Sequence, residues 1–314
     1  MQGNNILMTG GQSPADMDDP MRDADGFGDH PETRAAARPG VFKIFRTGQL
    51  VHRPPVTLDQ PPQPVAYSHP PMPSISPDKT WESLTAATVD VARLEENGLF
   101  PDPEKCPASA QFDILRTRIR QVMEERGWKR LAITSPTIGC GKSFVAANLA
   151  LSFARIPSCR IVLMDMDLRA PRLAETMGLS FGPLREVLDG DQPLESHFRK
   201  LGRNLALGLN DVAVPDAATV LHDPATNAAL TAMLDHLDPT LMILDCPPAL
   251  GTDDVIALMP QLDAVLIVAD GTQTTAEDIR RCEALFEGRL PIMGVVLNRA
   301  QDRGLARYFR KRKG

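Results

Sequence analysis

Short apolar runs alternate with segments of helical periodicity between residues 106 and 300. Each run predicts a strand buried on both faces, and apolar residues three or four positions apart predict helices. Their alternation favours an α/β fold with a mostly parallel sheet and helices on both faces. We predict strands at 131–133, 160–165, 204–209, 240–245, 264–270 and 292–298, and helices at 112–123, 144–154, 171–177, 225–237 and 275–286.

The first 80 residues show no sustained periodicity. A proline-rich stretch covers residues 54–77. Such a composition buries too little apolar surface to offset the entropy of ordering the chain, so we predict that residues 1–80 are disordered. An apolar island at 41–45 is open to two interpretations, a docking motif or a fluctuating cluster. Residues 81–105 are predicted as a linker that can include a short helix at 81–97. An acidic stretch precedes the prolines and contains Asp16, Asp18, Asp19, Asp23, Asp25 and Asp29.

The composition excludes several classes of protein. The net charge of −6 is opposite in sign to that expected of a general nucleic-acid-binding protein. No apolar run approaches the roughly 18 residues that span a bilayer, and the N-terminus lacks a secretion signal. Five irregularly spaced cysteines form neither a zinc pattern nor a disulfide framework and indicate reduced thiols.

These features predict a cytoplasmic protein, and the basic tail at 301–314 bears on where it lies in the cell. The tail could hold the protein against the anionic inner face of the plasma membrane, where each cation contributes about 1 kcal/mol. A solvated, disordered end is an equally good interpretation of the same charges.

A glycine-rich turn joins the first predicted strand of the α/β region to the next helix. It ends in Gly139, Gly141, Lys142 and Ser143. Glycines let backbone N–H groups surround phosphate oxygens, and the start of the helix adds a positive dipole. In such a phosphate loop the lysine reaches the β- and γ-phosphates and the serine hydroxyl binds Mg²⁺. Pro136 stands where the general consensus has glycine, so this motif by itself leaves a chance match open.

Carboxylates follow two further predicted strands. Asp165 and Asp167 come at the end of one strand, and Asp245 ends another. The carboxyl ends of parallel strands lie at one edge of a sheet, so we expect these side chains to converge with Lys142 in one crevice. An alternative for Asp165 to Arg169 is a helix cap with a local salt bridge. The nearby phosphate loop favours a nucleotide site, and we therefore predict a P-loop domain at 106–300.

Three segments together resemble the Walker motifs of the bacterial tyrosine kinases, which accompany capsular and exopolysaccharide synthesis. Residues 295–298 resemble the last core strand of that family, whose asparagine lies near the base. The resemblance covers about residues 108–299. The related partitioning and cell-division ATPases of the ParA and MinD type carry an extra lysine where this chain has Thr137, which argues against them. The three segments are residues 133–143, 162–173 and 242–248.

The resemblance implies ATP and Mg²⁺ as cofactors and assigns roles to individual residues. Lys142, Asp165 and Asp167 would be catalytic, with Asp165 as the base or as an orienter of the metal. Ser143, Asp167 and Asp245 would hold Mg²⁺. The implied nucleotide-binding residues are Gly139, Cys140, Gly141, Lys142, Ser143, Phe144, Arg169 and Asn298.

Two family features are reduced in this chain. The family ends in a cluster of autophosphorylated tyrosines, whereas this chain has only Tyr67 and Tyr308. The family helix Glu-x-x-Arg-x-x-Arg, which builds a ring oligomer, here reads Ala110, Asp113 and Arg116. Autophosphorylation between subunits and homo-oligomerisation are therefore left open.

We interpret the protein as an ATP-dependent tyrosine autokinase, or a kinase-like ATPase, that regulates polysaccharide synthesis and export. Such kinases need a transmembrane activator, so a separate polysaccharide co-polymerase in the membrane is the implied partner. A nucleotide-switched positioning ATPase of the ParA or MinD type is the alternative. A scaffold that binds ATP without transferring phosphate is a third interpretation. Cys140 and Cys246 form a redox pair or, as the simpler interpretation, are inert small residues.

Overall fold

A single sheet organises the described part of the chain. The computed structural model describes residues 76–105 and 108–300, together with the backbone of residues 6–7 and 44–45. Within these residues the strands are β1 (Ile6–Leu7), β2 (Ile44–Phe45), β3 (Thr85–Ala86), β4 (Arg130–Thr134), β5 (Ile161–Asp165), β6 (Arg199–Leu201), β7 (Leu205–Gly208), β8 (Leu241–Asp245), β9 (Ala264–Asp270) and β10 (Ile292–Asn298).

Helices follow most of these strands. They are α1 (Pro77–Ser83), α2 (Val91–Glu96), α3 (Ser109–Arg126), α4 (Lys142–Ala154), α5 (Leu173–Thr176), α6 (Arg185–Leu188), α7 (Leu194–His197), α8 (Ala217–His222), α9 (Pro224–Leu237), α10 (Asp254–Leu258) and α11 (Ala276–Phe286). Short 3₁₀ turns lie at Pro103–Lys105 and Met259–Gln261. In the ranges that the structure describes, no helix is long and apolar enough to cross a bilayer.

The strand order is β1-β10-β9-β4-β8-β5-β7-β6-β3, and β2 also pairs with β10. The six strands from β10 to β7 are parallel, which confirms the mostly parallel α/β sheet predicted from the sequence. Antiparallel pairing occurs towards the edges, where β6 joins β7 and where β1 and β2 join β10. The central strand β4 leads into the glycine-rich turn, so that turn lies near the middle of the sheet.

Alternation along each strand divides the core into two layers. On β4, Leu131 and Ile133 face the layer that contains α3 and α4, whereas Ala132 faces the layer that contains α9 and α11. Both faces of the central sheet are therefore covered by helices, as predicted. Because the strands are buried on both sides, they appear in the sequence as continuous apolar runs, and all six predicted strands are present within one or two residues of the expected bounds.

The short elements differ from the prediction. The helix expected at 171–177 is shortened to Leu173–Thr176. The strands β3 and β6, and the helices α6, α7, α8 and α10, were not predicted, since two to six residues are too few to show a period. The helix expected at 112–123 is longer, Ser109–Arg126, and ends before Gly127, where φ is 66° and the backbone turns left-handed.

Residues 76–105 are part of the packed fold, which corrects the predicted linker at 81–105. A helix starts at Pro77, inside the segment expected to be disordered, and the single helix expected at 81–97 is divided between α1 and α2. Trp81 is 3% exposed, and its Nε1 donates to the Leu237 carbonyl at 2.6 Å. Leu94 and Leu99 are buried in the opposite layer.

Two pieces of the N-terminal segment pair with the outer edge of β10. Ile6 and Leu7 lie opposite Asn298 and Leu297, and Ile44 and Phe45 lie opposite Val296 and Val295. Residues 44–45 of the apolar island at 41–45 thus form β2. The acidic stretch, the proline-rich stretch up to residue 75 and the basic tail lie outside the described residues.

Replacing Trp81 by alanine tests whether α1 belongs to the fold. Loss of the buried ring and its hydrogen bond is expected to lower the free energy of unfolding by about 3–5 kcal/mol. Urea denaturation followed by circular dichroism measures this change. Trp81→Phe retains most of the packing and should cost less than half as much. An unchanged urea midpoint for Trp81→Ala would show that α1 does not pack against α9 in solution.

Candidate functional site

The phosphate loop occupies residues 135–141, between β4 and α4. Gly139 and Gly141 have φ of 87° and 92°, a region that side chains with a Cβ rarely adopt. Gly141 is the N-cap of α4, whose first turn leaves backbone N–H groups without helical acceptors. These donors and the helix dipole make the loop suited to an anion such as a phosphate.

The predicted charged residues converge beside this loop. Asp165 and Asp245 are opposite each other in the register of β5 and β8. The Lys142 Nζ lies 2.6 Å from Asp167 Oδ2 and 3.8 Å from Asp245 Oδ1. Lys142 and all three carboxylates are buried. The structure therefore brings together three carboxylates and one ammonium group at the carboxyl edge of the sheet.

The proton affinities in this cluster depend on one another. Burial opposes the charge of Lys142, but Asp245, Asp167 and Asp165 together raise its pKa above the ordinary value. Burial, followed by the charge of Asp245, raises the pKa of Asp165 well above its ordinary value. Burial also raises the pKa of Asp245 to about 6, against the opposing charge of Lys142. One ammonium group does not fully compensate three buried carboxylates, so the cluster attracts further positive charge.

The residues present fit a magnesium ion. Both carboxylate oxygens of Asp245 are buried and have no hydrogen-bond partner among the described residues. A hard cation would compensate them. Ser143 follows Lys142 in the first turn of α4, next to the phosphate loop. Within the described ranges no three His, Cys, Asp or Glu side chains form a metal cage. Mg²⁺ at phosphoryl-transfer sites uses one or two carboxylates plus substrate phosphates, and this arrangement can supply them.

Asp165 also has a local structural role. Its Oδ2 accepts hydrogen bonds from the backbone N–H groups of Arg172 and Leu173, at 3.1 and 3.0 Å. Its Oδ1 accepts from the backbone N–H of Asp167 at 3.2 Å. The carboxylate thus accepts from the first backbone N–H groups of α5, whereas the local salt bridge of the helix-cap alternative is absent from the described residues, because Arg169 pairs with the distant Asp254. Its position at the end of β5 keeps it beside Asp245.

Two predicted nucleotide ligands have other partners. The ring of Phe144 packs edge-on against Phe100 and Phe112 in the core, so only its backbone is available to a nucleotide. Arg169 donates to both oxygens of the buried Asp254, at 2.8 and 3.0 Å, and to the Pro215 carbonyl at 2.7 Å. The sequence placed Arg169 near the carboxylates but could not show this bidentate pair with a distant residue.

Asn298 supports the phosphate loop from within the protein. It is fully buried, and its Nδ2 donates to the Cys140 carbonyl at 2.9 Å. This contact gives the side chain a partner in the loop, and its position near the base stays a prediction. The next residue, Arg299, donates to the Gly139 carbonyl at 2.9 Å and was not predicted. The only sequence signal for Arg299 is its place directly after a strand end, where ligand-binding residues of parallel sheets collect.

The comparisons with known proteins agree with this geometry. The ParA family model, described as a NUBPL iron-transfer P-loop NTPase, matches residues 128–302. This chain belongs to that family of P-loop NTPases. All cysteines in the described part of this P-loop NTPase are buried, namely Cys140, Cys159, Cys246 and Cys282. That part therefore offers no exposed thiolate that could bind iron.

The relatives include bacterial tyrosine kinases. A protein of Ralstonia nicotianae named "Putative tyrosine-protein kinase EpsB" is 30% identical over 209 residues, which are 64% of this chain and 27% of that protein. Tyrosine-protein kinase YwqD of Bacillus subtilis is 27% identical over 66% of this chain and 87% of its own length. The kinase domain of the Escherichia coli tyrosine kinase ETK is 25% identical, with a TM-score of 0.59 over 65% of this chain and 80% of that domain.

These comparisons confirm the resemblance to bacterial tyrosine kinases. The chain spans about a quarter of the length of EpsB, since the match covers 27% of that protein. The residues that the family model matches, 128–302, contain the phosphate loop and the carboxylate cluster of this P-loop NTPase.

The helix that corresponds to the oligomer-forming helix of the tyrosine kinases has internal partners in this NTPase. Asp113 accepts from Arg116 at 3.1 Å, from Ser152 at 2.6 Å and also from Arg155. Arg116 further donates to the Ser152 carbonyl at 2.9 Å. These contacts join α3 to α4 within one chain, so Asp113, which stands where the family helix has its first arginine, has an intramolecular role.

The two cysteines near the site contribute to opposite layers of the core. Cys140 belongs to the layer of α3 and α4, and Cys246 belongs to the layer of α9 and α11. Burial and the charge of Asp245 raise the pKa of the Cys246 thiol well above its ordinary value, which makes it a poor nucleophile. The arrangement favours two inert residues over a redox pair.

Asp245→Asn is expected to stabilise the nucleotide-free NTPase at pH 7 by roughly 1–3 kcal/mol, because a buried ionised carboxylate is replaced by a neutral amide. The pKa of Asp245 rises on folding from 3.8 to about 6. The wild-type protein therefore loses stability at this group as the pH rises from about 4 through 6. The gain from Asp245→Asn should shrink to zero as the pH falls through that range.

Urea unfolding in magnesium-free buffer at several pH values measures the gain from Asp245→Asn. The exposed Asp191→Asn is the control and should leave the profile unchanged. A pH-independent difference between Asp245→Asn and the wild type would contradict the raised pKa.

Proposed function

We propose that this protein binds ATP with Mg²⁺ and transfers the γ-phosphoryl group to a tyrosine hydroxyl, or to water, in a system that controls polysaccharide synthesis and export. The contact of Lys142 with Asp167 and Asp245, directly beside the phosphate loop, carries this proposal. The relatives named tyrosine-protein kinases support the choice of acceptor. Phosphoryl transfer needs positioning and charge stabilisation, and the cluster can supply both.

The loop and Lys142 would bind the phosphates. Backbone N–H groups of residues 139–144 would surround the β-phosphate, and the Lys142 ammonium would exchange its contact with Asp167 for the β- and γ-phosphate oxygens. This exchange compensates the cost of separating a buried ion pair, because the incoming oxygens are also anionic. Lys142 would then stabilise the charge that develops on the transferred group.

The three carboxylates would divide the remaining tasks. Mg²⁺ held by Ser143, Asp167 and Asp245 would neutralise phosphate oxygens. The raised pKa of Asp165 makes it a stronger base than an exposed aspartate, so it can accept the proton of the attacking hydroxyl. The backbone donors from Arg172 and Leu173 would keep the Asp165 carboxylate in place during this step.

The rest of the system is inferred from the kinase relatives. A transmembrane polysaccharide co-polymerase would be the activator, and the protein would act in the cytoplasm at the inner face of the membrane. Tyr308 and Tyr67 are the acceptors that the chain itself offers, and both lie outside the described residues. A co-polymerase or another protein in the same system would be the acceptor in trans.

A nucleotide-switched binding module is the second candidate. It is favoured by Ile138, which lies in the phosphate loop and is 85% exposed. A large apolar side chain at this place can contact a partner, and nucleotide binding would alter the loop that carries it. Such a module would hydrolyse ATP slowly and leave both tyrosines unmodified.

Lys142→Ala is expected to reduce ATP hydrolysis and tyrosine phosphorylation at least 100-fold, because a charge that stabilises the transferred phosphoryl group is removed. The assay incubates the purified protein with ATP and Mg²⁺, and follows phosphate release and phosphotyrosine. Lys129→Ala, which removes an exposed lysine paired with Asp238 at the opposite end of β4, is the control and should behave as the wild type.

If the wild type hydrolysed ATP but labelled no tyrosine, either on itself or on an added acceptor, the kinase proposal would be wrong. The nucleotide-switched binding module would then be favoured. If Lys142→Ala hydrolysed ATP as fast as the wild type, the proposed site itself would be wrong. Mass spectrometry of Tyr67→Phe and Tyr308→Phe would identify an acceptor within the chain.

A further inference from the structure

Two consecutive residues at the end of β10, Asn298 and Arg299, donate to two consecutive carbonyl groups of the phosphate loop. The Asn298 Nδ2 donates to the Cys140 carbonyl, and the Arg299 Nη1 donates to the Gly139 carbonyl, both at 2.9 Å. In a trans peptide the N–H of the next residue points opposite to the carbonyl, in the same plane. Fixing the Gly139 and Cys140 carbonyls therefore fixes the direction of the Cys140 and Gly141 N–H groups, which face the phosphate site in such a loop.

Arg299 is itself held by a buried carboxylate. The same Nη1 donates to Asp270 Oδ2 at 2.7 Å. Asp270 ends β9 and is 1% exposed, and its Oδ1 accepts from the backbone and hydroxyl of Thr272 at 2.8 and 2.6 Å. Hydrogen bonds from both sides thus orient the carboxylate, and it can serve as a fixed anchor for the guanidinium.

The backbone at Arg299 is in an unfavourable conformation. Its φ is 55°, in the left-handed region that residues with a Cβ seldom adopt. The Asn298 side chain stabilises this turn by accepting from the Arg299 N–H at 3.0 Å. The adjacent Gly271 N–H donates to the Asn298 carbonyl at 2.7 Å, which ties the ends of β9 and β10 together. Strain maintained by several contacts is typical of a functional position.

The loop is built to accept this support. A Cβ at Gly141 would lie 2.1 Å from Asn298 Nδ2, so only glycine lets the loop approach the end of β10 this closely. Arg299 remains 39% exposed while it reaches Gly139, whereas Asp270 is almost fully buried. A side chain that served only to neutralise Asp270 would not need to extend across to the loop carbonyl.

We propose that Arg299 is a positioning residue for nucleotide binding, which, anchored by Asp270, holds the phosphate loop in its binding conformation. The inference rests on the proposed ATP site and names a residue outside the resembling Walker motifs. Arg299 does not touch the phosphates, and it acts through the Gly139 carbonyl. Its removal should loosen the loop, weaken ATP binding and leave the rate of the chemical step nearly unchanged.

The test measures the dissociation constant of Mg²⁺ADP, the KM for ATP and the kcat of the full chain. Arg299→Gln should raise the dissociation constant and KM about tenfold, the usual loss for one charge-assisted hydrogen bond, and change kcat less than about threefold. Arg299→Lys keeps the charge beside Asp270 and should lose less. Asp270→Asn should resemble Arg299→Gln. The control is Arg280→Gln, at an exposed arginine of α11 paired with Glu277.

Hydrogen exchange of peptides covering residues 134–143 in the nucleotide-free protein provides a readout that needs no ATP. These amides should exchange faster in Arg299→Gln than in the wild type or Arg280→Gln. Thermal unfolding shows whether each variant is folded. A folded Arg299→Gln variant with wild-type exchange in the loop, or with wild-type affinity and KM, would overturn the proposal.

The two proposals can fail separately. If the wild type bound no nucleotide, the proposed function would fall, while faster loop exchange in Arg299→Gln would still support the positioning contact. If the wild type bound ATP and Arg299→Gln lowered only the unfolding temperature, the role of Arg299 would be structural and the positioning proposal would be wrong.

Discussion

The structure depends on burying three carboxylates and one ammonium group at the carboxyl ends of adjacent parallel strands. Lys142 lies 2.6 Å from Asp167 and 3.8 Å from Asp245, and all of these groups are buried. Isolated charges would be too costly in such a place, so the cluster is stable only because its members compensate one another. The compensation is incomplete at Asp245, whose oxygens have no hydrogen-bond partner in the described part of the chain. This imbalance is what a magnesium ion would correct.

The fold places these charges where they are because of the central strands. β4, β5 and β8 are adjacent and parallel, so the loop after β4 and the carboxylates that end β5 and β8 meet at one edge. The two apolar layers exclude water from both faces of the sheet. Polar side chains are therefore found at its carboxyl edge. The contacts at the end of β10 then set the shape of the loop. The site thus combines the central sheet with a short loop whose carbonyl groups accept hydrogen bonds from Asn298 and Arg299.

The sequence predicted the parts of this arrangement that leave a local signal. The continuous apolar run of β8 predicted both a buried strand and the position of Asp245. Gly139 and Gly141 predicted a phosphate loop, and both have positive φ in the structure. Contacts between distant residues leave no such signal. The pairing of Arg169 with Asp254 and the direction of the Phe144 ring could not be read from spacing.

Contacts between distant residues were also missed in the N-terminal region. Its composition predicted disorder to residue 80 and a linker at 81–105, yet α1 begins at Pro77 and Trp81 is buried against α9, and Ile6–Leu7 and Ile44–Phe45 pair with β10. One tryptophan and two apolar dipeptides are too short to give a period, although each has its partner far along the chain. Membership of the P-loop NTPase family rests instead on residues 128–302, where the local patterns are strong.

The most direct test of the account is calorimetric titration of the purified protein with ATP in the presence and absence of Mg²⁺. If the buried carboxylates form the metal and nucleotide site, Mg²⁺ should tighten ATP binding to the wild type at least tenfold, and Asp245→Asn should abolish that gain. The same ATP affinity with and without Mg²⁺, or a gain that survives in Asp245→Asn, would contradict the account.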